Sequence, residues 1–307
     1  CSEYMFLDDT ACNLSSINLL HYEEWKNTDA VETLVYFLDA VMSDFIQRLE
    51  EMRDSPNKEK RMAFGFMERT YNFATANRAL GLGVLGWHSL LQNKMIPFDN
   101  KEASSLNIEI FKSIKERAYS ASQELAKLYG EPSLLKGYGR RNTTLCAIAP
   151  TTSSAFILGQ VSQGIEPLFS NYYVKDIDKI KTSIKNTFLE KLLEEKNKNS
   201  KEVWQTIRDH DGSVQHLDFL DQEEKEVFKT FGEIDQYAII DQAAARQKDI
   251  DQSQSLNLMI NPTTLPRDMN ALYLHAWQRG IKTLYYQHSV NAAQTLTRKK
   301  VCESCEA

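Results

Sequence analysis

Apolar stripes at helical spacing alternate along this chain with short β-branched and aromatic runs, and no other feature of the sequence restricts the fold as much. Val31, Leu34, Val35, Leu38, Val41, Met42, Phe45 and Leu49 recur at intervals of three and four, which predicts one apolar face over five helical turns. Leu106, Ile110, Ile114, Ala118, Ala121, Leu125 and Leu128 form a second stripe, closed by Gly130 and Pro132. Ile180, Ile184, Leu189, Leu192 and Leu193 predict a third helix with a Lys/Glu-rich outer face. The lysine-heavy stretch 195–201 then reads as a solvated helix end and loop. A fourth helix is expected from Pro266 to Gln278, capped by Thr263 or Thr264 and stopped by Gly280.

Between these helices, Thr143–Ala149, Tyr172–Val174, Leu256–Ile260 and Thr283–Gln287 read as strands. Strands separated by helices imply an α/β architecture with mostly parallel pairing. In Leu80-Gly81-Leu82-Gly83-Val84-Leu85-Gly86 the glycines alternate with bulky residues inside what reads as a helical pattern. Glycines so placed make no dinucleotide fingerprint, and close backbone packing is their expected role. Past His288 the pattern dissolves into polar residues, the basic Arg298-Lys299-Lys300, and Cys302-Glu303-Ser304-Cys305. The expected organisation is one domain over 1–290 followed by a mobile tail over 291–307.

Composition excludes several classes. The 307 residues are 42% hydrophobic and 25% charged, with 12 glycines and 7 prolines, values of an ordinary globular protein rather than a collagenous or disordered one. The net charge of −6 supplies no basic footprint for nucleic acid. No apolar run is long enough to span a bilayer and nothing resembles a signal peptide, so the expected location is the cytoplasm. Five unevenly spread cysteines (Cys1, Cys12, Cys146, Cys302, Cys305) do not make a secreted disulfide framework; in a reducing compartment each is buried and inert or chemically active. No histidine lies at zinc-ligand spacing from them. His210 and His216 read as solvent-facing or structural, and no metal site is expected.

Four groups of residues carry possible chemistry. In an extended segment Cys1 and Glu3 share a face, so a thiol and a carboxylate could address one substrate. Ala149-Pro150-Thr151-Thr152-Ser153-Ser154-Ala155 offers hydroxyls and backbone N–H groups to an anion without a lysine, or simply caps a helix. Tyr285 and Tyr286 are adjacent phenols, which in a strand are ordinarily one buried and one exposed residue. Cys302 and Cys305 form a C-x-x-C pair, able to close a disulfide and exchange it readily, or to be half of a zinc site for which the chain has no second pair. Cys146, in an apolar strand, reads as inert.

Taken together, Cys1-Ser2-Glu3-Tyr4, Ala11-Cys12-Asn13-Leu14, the Gly81–Gly86 stretch, Gly139-Arg140-Arg141-Asn142-Thr143-Thr144-Leu145, the Thr/Ser loop, Gly164-Ile165-Glu166-Pro167, Thr283-Leu284-Tyr285-Tyr286-Gln287 and the terminal Cys-x-x-Cys resemble the C-terminal, catalytic part of class I ribonucleotide reductase large subunits. The resemblance implies the second half of a ten-stranded α/β barrel with the radical-cysteine finger loop at its N-terminus. It implies that Cys1 carries a thiyl radical, that Glu3 is a general base, and that Cys12 is one of two cysteines that reduce the ribose, the other lying outside this chain. Thr151, Thr152, Ser153 and Ser154 would hold the substrate phosphates. Tyr286 and Tyr285 would pass the radical inward, and Cys302 and Cys305 would re-reduce the site. The implied partners are the N-terminal part of the large subunit, a radical-generating small subunit that carries the metal, thioredoxin or glutaredoxin, and a ribonucleoside diphosphate. This chain itself would bind no cofactor.

Three departures accompany the resemblance. The spacing from Pro150 to Gly164 is one residue longer than in some class I members. Ser2-Glu3-Tyr4-Met5-Phe6 resembles adenosylcobalamin-dependent class II sequences, which keeps a class II fragment as an alternative beside a non-enzymatic half-barrel that only binds another subunit. The chain also opens on a cysteine rather than a methionine. A cysteine is the residue that intein splicing requires first after the intein, so the downstream extein of an interrupted reductase is one expected origin, beside an excerpt or split gene.

Overall fold

The computed structural model describes residues 1–11, 13–177 and 180–289. Two of its three longest helices form where the period predicts. Short α1 (Tyr22–Trp25) leads to α2 (Ala30–Arg53), which buries Val31, Val35, Leu38, Met42, Ile46 and Leu49. An unanticipated α3 (Lys58–Asn77) follows, capped by the Asn57 side chain on the Glu59 N–H at 2.8 Å. It escaped the pattern because only Phe73, Ala74 and Asn77, all in its last turns, are buried. After α4 (Trp87–Asn93), α5 (Lys101–Tyr129) begins at an Asn100 cap and ends at Gly130, whose φ of 81° favours glycine. Its stripe from Ile110 to Leu125 is buried, whereas Leu128 is exposed. The remaining helices are α6 (Thr152–Ile157), α7 (Thr187–Glu195), α8 (Lys201–Asp209), α9 (Gln222–Val227), α10 (Gln236–Gln247) and α11 (Pro266–Gln278).

Strand β1 (Leu14–Asn18) pairs in parallel with β2 (Gly81–Leu85), from Leu14 opposite Gly81 to Asn18 opposite Leu85. The glycine stretch is therefore a strand and not part of a helix. Its expected close packing is present: a Cβ on Gly83 would lie well inside contact distance of the Ala147 carbonyl oxygen, and one on Gly81 would meet the Leu14 side chain. On the far side of β2 the extended segment 144–149 joins through the Leu82–Cys146 bridge and the Leu82 N–H to Leu145 O bond of 2.7 Å. That segment meets the next through Ile148 and Gln254, with the Ile148 N–H on Ser253 O and the Ser255 N–H on Ile148 O. Finally β5 (Leu258–Met259) lies parallel to β6 (Gln287–His288). Five neighbouring extended segments thus run in one direction, with helices in the crossovers, and make a five-stranded half-barrel. Parallel neighbours need such crossovers because no hairpin can join them. The main core lies between these segments and α2, α5, α10 and α11, where Leu82, Val84, Val35, Ile110, Ile240 and Leu272 are all buried.

Three local expectations change. Ile180 and Ile184 do not belong to a helix with Leu189. They lie on β4 (Ile180–Lys185), which pairs antiparallel with β3 (Tyr172–Ile177), and α7 starts only after Asn186 caps the Phe188 N–H. A spacing of four fits one helical turn and one strand face equally, so the period alone does not separate them. The hairpin departs from the parallel rule, and the helices after it pack around Leu189, Trp204, Ile207 and Phe228 as a second cluster. At α11 the N-cap is Leu265 rather than a threonine. Pro266 drives the preceding residue into an extended conformation, and the Thr263 hydroxyl is bonded to Asn261 instead.

Candidate active site

The first three residues are fastened to the fourth extended segment. The Ser253 N–H donates to Glu3 O (2.9 Å), the Ser2 N–H to Ser255 Oγ (3.1 Å), and the Ser255 hydroxyl to a Glu3 carboxylate oxygen. Glu3 is buried, 2% exposed, while the free thiol of Cys1 is open to solvent. From the other side the Thr283 hydroxyl donates to Ser2 O at 2.8 Å. Segments 1–3, 253–255 and 283 are therefore one hydrogen-bonded unit.

Two residues beyond Thr283 stand the tyrosines. Their ring centroids are 3.9 Å apart and their planes 39° from parallel. The Tyr285 N–H donates to Leu256 O (2.9 Å) and the Leu258 N–H to Tyr286 O (3.0 Å), so pairing with the neighbouring segment fixes both backbones. The hydrogen bond to Tyr286 raises the Tyr285 phenol above its ordinary range, with burial and the charges of Tyr286 and Glu3 adding to it. Tyr286 is the outer member, 57% exposed.

The Thr/Ser loop follows the third segment directly. Thr151 adopts a left-handed backbone (φ 56°), and its hydroxyl accepts from the Gly164 N–H at 2.8 Å instead of capping α6. Thr152, Ser153 and Ser154 are exposed on the first turn of α6, where N–H groups lack intrahelical acceptors. The return of this loop carries Glu166, 5% exposed. Burial pushes its carboxyl up to about 8, although Asn257 donates to it. The other face of Asn257 accepts the Tyr286 N–H at 2.8 Å.

The Cys1–Glu3 segment and the Tyr285–Tyr286 pair are thus held against the same extended segment, residues 253–258. Cys12, Cys302 and Cys305, with the 291–307 tail, lie outside the described residues. Cys146 is buried in the core, its thiol pushed up by desolvation and by the Asp251 charge. His210 and His216 stack at 3.8 Å near the surface, and among the described residues no His, Cys, Asp and Glu cluster could hold a metal. Sequence reasoning missed Ser255 and Asn257. The available signal was Gln252-Ser253-Gln254-Ser255, a polar run entering a strand, every member of which is buried.

A parallel half-barrel with a cysteine-bearing N-terminal segment docked against its strands defines one class of protein. The family model described as "Ribonucleotide reductase, barrel domain" matches residues 1–134 and 132–287, and this chain belongs to that family. It is 38% identical over 302 residues to the ribonucleoside-diphosphate reductase large subunit of Invertebrate iridescent virus 6, covering 95% of this chain and 30% of the viral protein. It is 40% identical over 280 residues to the putative large subunit of Frog virus 3, covering 91% of this chain and 47% of that one. Among solved structures, the Actinobacillus ureae class Id ribonucleotide reductase alpha subunit superposes with a TM-score of 0.85 at 54% identity, over 96% of this chain and 53% of that subunit. The chain therefore spans no more than about half the length of these relatives.

Proposed function

We propose that this chain is the catalytic half of a ribonucleoside-diphosphate reductase that makes 2′-deoxyribonucleotides by thiyl-radical chemistry in the cytoplasm. One observation carries the reading: Thr283 joins the Cys1–Glu3 segment to the tyrosine pair, so that the segment bearing the thiol and carboxylate and two phenols in ring contact belong to one hydrogen-bonded unit. A metal-containing small subunit supplies the oxidising equivalent. Tyr286, the exposed phenol, receives it and passes it to Tyr285, which regains its hydrogen atom from the Cys1 thiol. The Cys1 sulfur then takes the 3′ hydrogen of the ribose while Glu3 accepts the 3′-hydroxyl proton. The 2′ hydroxyl leaves as water on a proton from one of two reducing thiols. Those thiols, Cys12 and a cysteine of the N-terminal part, supply two electrons and two protons to the ribose and end as a disulfide. Cys1 then returns the hydrogen atom to C3′ and Glu3 the proton to the 3′ oxygen, which restores the thiyl radical. Cys302 and Cys305 reduce that disulfide by exchange, and thioredoxin or glutaredoxin restores the tail. Thr151, Thr152, Ser153 and Ser154 hold the diphosphate through hydroxyls and N–H groups.

The test is nucleotide reduction by the chain reconstituted with the N-terminal part and small subunit. Cys1→Ala and Tyr286→Phe should each abolish turnover while leaving the thermal midpoint of this chain within about 1 °C, since both positions are exposed. Deoxynucleotide formed by Cys1→Ala would end the proposal. Turnover by Tyr286→Phe with adenosylcobalamin and no small subunit would move the chain to class II.

A further inference from the structure

Glu166 has no part in the chemistry above, yet its buried carboxyl is two hydrogen bonds from the outer tyrosine. A Glu166 carboxylate oxygen accepts from Asn257 Nδ2, and Asn257 Oδ1 accepts from the Tyr286 N–H at 2.8 Å. The orientation of Asn257 is forced. A backbone N–H can only donate, so it must face the amide oxygen, which leaves the NH₂ to be satisfied by an acceptor on the opposite side. Glu166 is that acceptor, and both residues are 5% exposed. On its other side Glu166 belongs to the turn that returns from the Thr/Ser loop. Its N–H donates to Gln163 O (2.9 Å), and the Gly164 N–H donates to the Thr151 hydroxyl.

We infer that Glu166 is a positioning residue for the tyrosine pair: through Asn257 it fixes the backbone of Tyr286 and ties it to the loop that carries Thr151. The inference rests on the proposed radical route through Tyr286. Electron transfer between neighbouring phenols depends steeply on their separation, and the 3.9 Å ring contact is set by where the two backbones are held. Leu256 and Leu258 hold Tyr285 N and Tyr286 O through backbone bonds, whereas the Tyr286 N–H is held by a side chain, that of Asn257. Without an acceptor at 166, a buried Asn257 amide is left unsatisfied and is free to turn over, releasing that N–H. The neutral acid serves as well as the carboxylate, because either form offers a lone pair to the NH₂ of Asn257. Glutamine offers one too. Leucine, of similar size, does not.

The experiment compares Glu166→Leu, Glu166→Gln, Glu166→Asp and Tyr286→Phe in the assembled reductase with its small subunit, measuring kcat and the nucleotide KM separately. Glu166→Leu should lower kcat about tenfold to a hundredfold, as expected of a small displacement of a reacting group, with KM held within about twofold. Glu166→Gln should recover kcat to within about threefold of the native enzyme, because it restores the acceptor. Glu166→Asp draws the carboxyl back by one methylene and should lose kcat in the same sense; it carries the test if Glu166→Leu fails to fold. Native kcat in both the Leu and Asp variants overturns the inference, as does a glutamine variant no better than leucine or a loss confined to KM. An active Tyr286→Phe enzyme would instead overturn the radical route itself, whatever the Glu166 variants do.

Discussion

At Gly81 and Gly83 a single methyl group would test how closely the half-barrel strands approach. A Cβ on Gly83 meets the Ala147 carbonyl oxygen, which is backbone in the adjacent segment and cannot swing aside. At Gly81 the first obstacle is the far end of the Leu14 side chain, which can change rotamer. Gly83→Ala should therefore destabilise by about 1–3 kcal/mol, as overpacking commonly does, and Gly81→Ala by less. Urea midpoints of the two variants decide it, and equal losses would mean that the strands relax apart. The glycines themselves were legible as sites of close packing, but their partner was not: Ala147 is more than sixty positions away. The same holds at the candidate site. Cys1, Glu3 and the tyrosine pair stand in recognisable motifs, whereas Ser255 and Asn257 are polar residues in a strand, and their meaning comes from Glu3, Glu166 and Tyr286 being brought against them.

Among the elements, α3 separates propensity from packing most clearly. Gly65 lies in its middle, exposed, with nothing within 4 Å of an added Cβ. Gly65→Ala should stabilise the chain by about 0.5–1 kcal/mol by removing the entropic cost of glycine in a helix. A lower urea midpoint would show that an uncounted neighbour packs there. Helices α2, α5 and α11 were legible because their faces repeat every three or four residues against one core. The α3 pattern is faint because, although Tyr71 and Ala74 pack on Met42 and Ile46 of α2, its residues before Phe73 stay exposed or half-buried, and β4 was hidden because two isoleucines four apart satisfy both periods.

For the molecule as a whole, Asp39 ties helices to barrel. It stands on α2 and is 3% exposed. It accepts from Arg78 Nε (2.8 Å) at the end of α3, from Arg141 Nε (2.9 Å), and from Asn142 Nδ2 (2.9 Å) ahead of the third extended segment. Burial alone would raise its carboxyl, but hydrogen bonds and charge from Arg78 and Arg141 outweigh that and hold it below the ordinary range. A depressed folded pKa gives stability that is fully present above the unfolded value of about 3.9 and is lost as pH falls through the folded one. Asp39→Asn should therefore cost about 3–5 kcal/mol at pH 7, where it leaves the buried Arg78 guanidinium and the half-buried one of Arg141 without their carboxylate. Its deficit against the native chain should narrow below about pH 4. Urea titrations at both pH values check this, and a deficit independent of pH would mean that the charge of Asp39 contributes nothing. By itself the sequence determined helices α2, α5 and α11, the α/β class and the motifs of the candidate site, because period and local wording are carried by residues near one another in the chain. Only the tertiary structure decided that residues 1–3, 253–258 and 283–288 form one unit, that Asp39 meets Arg78, Arg141 and Asn142, and that Glu166 meets Asn257. Parallel strands are joined through long crossovers, so a strand's neighbour lies tens of residues away and leaves no mark in the local pattern.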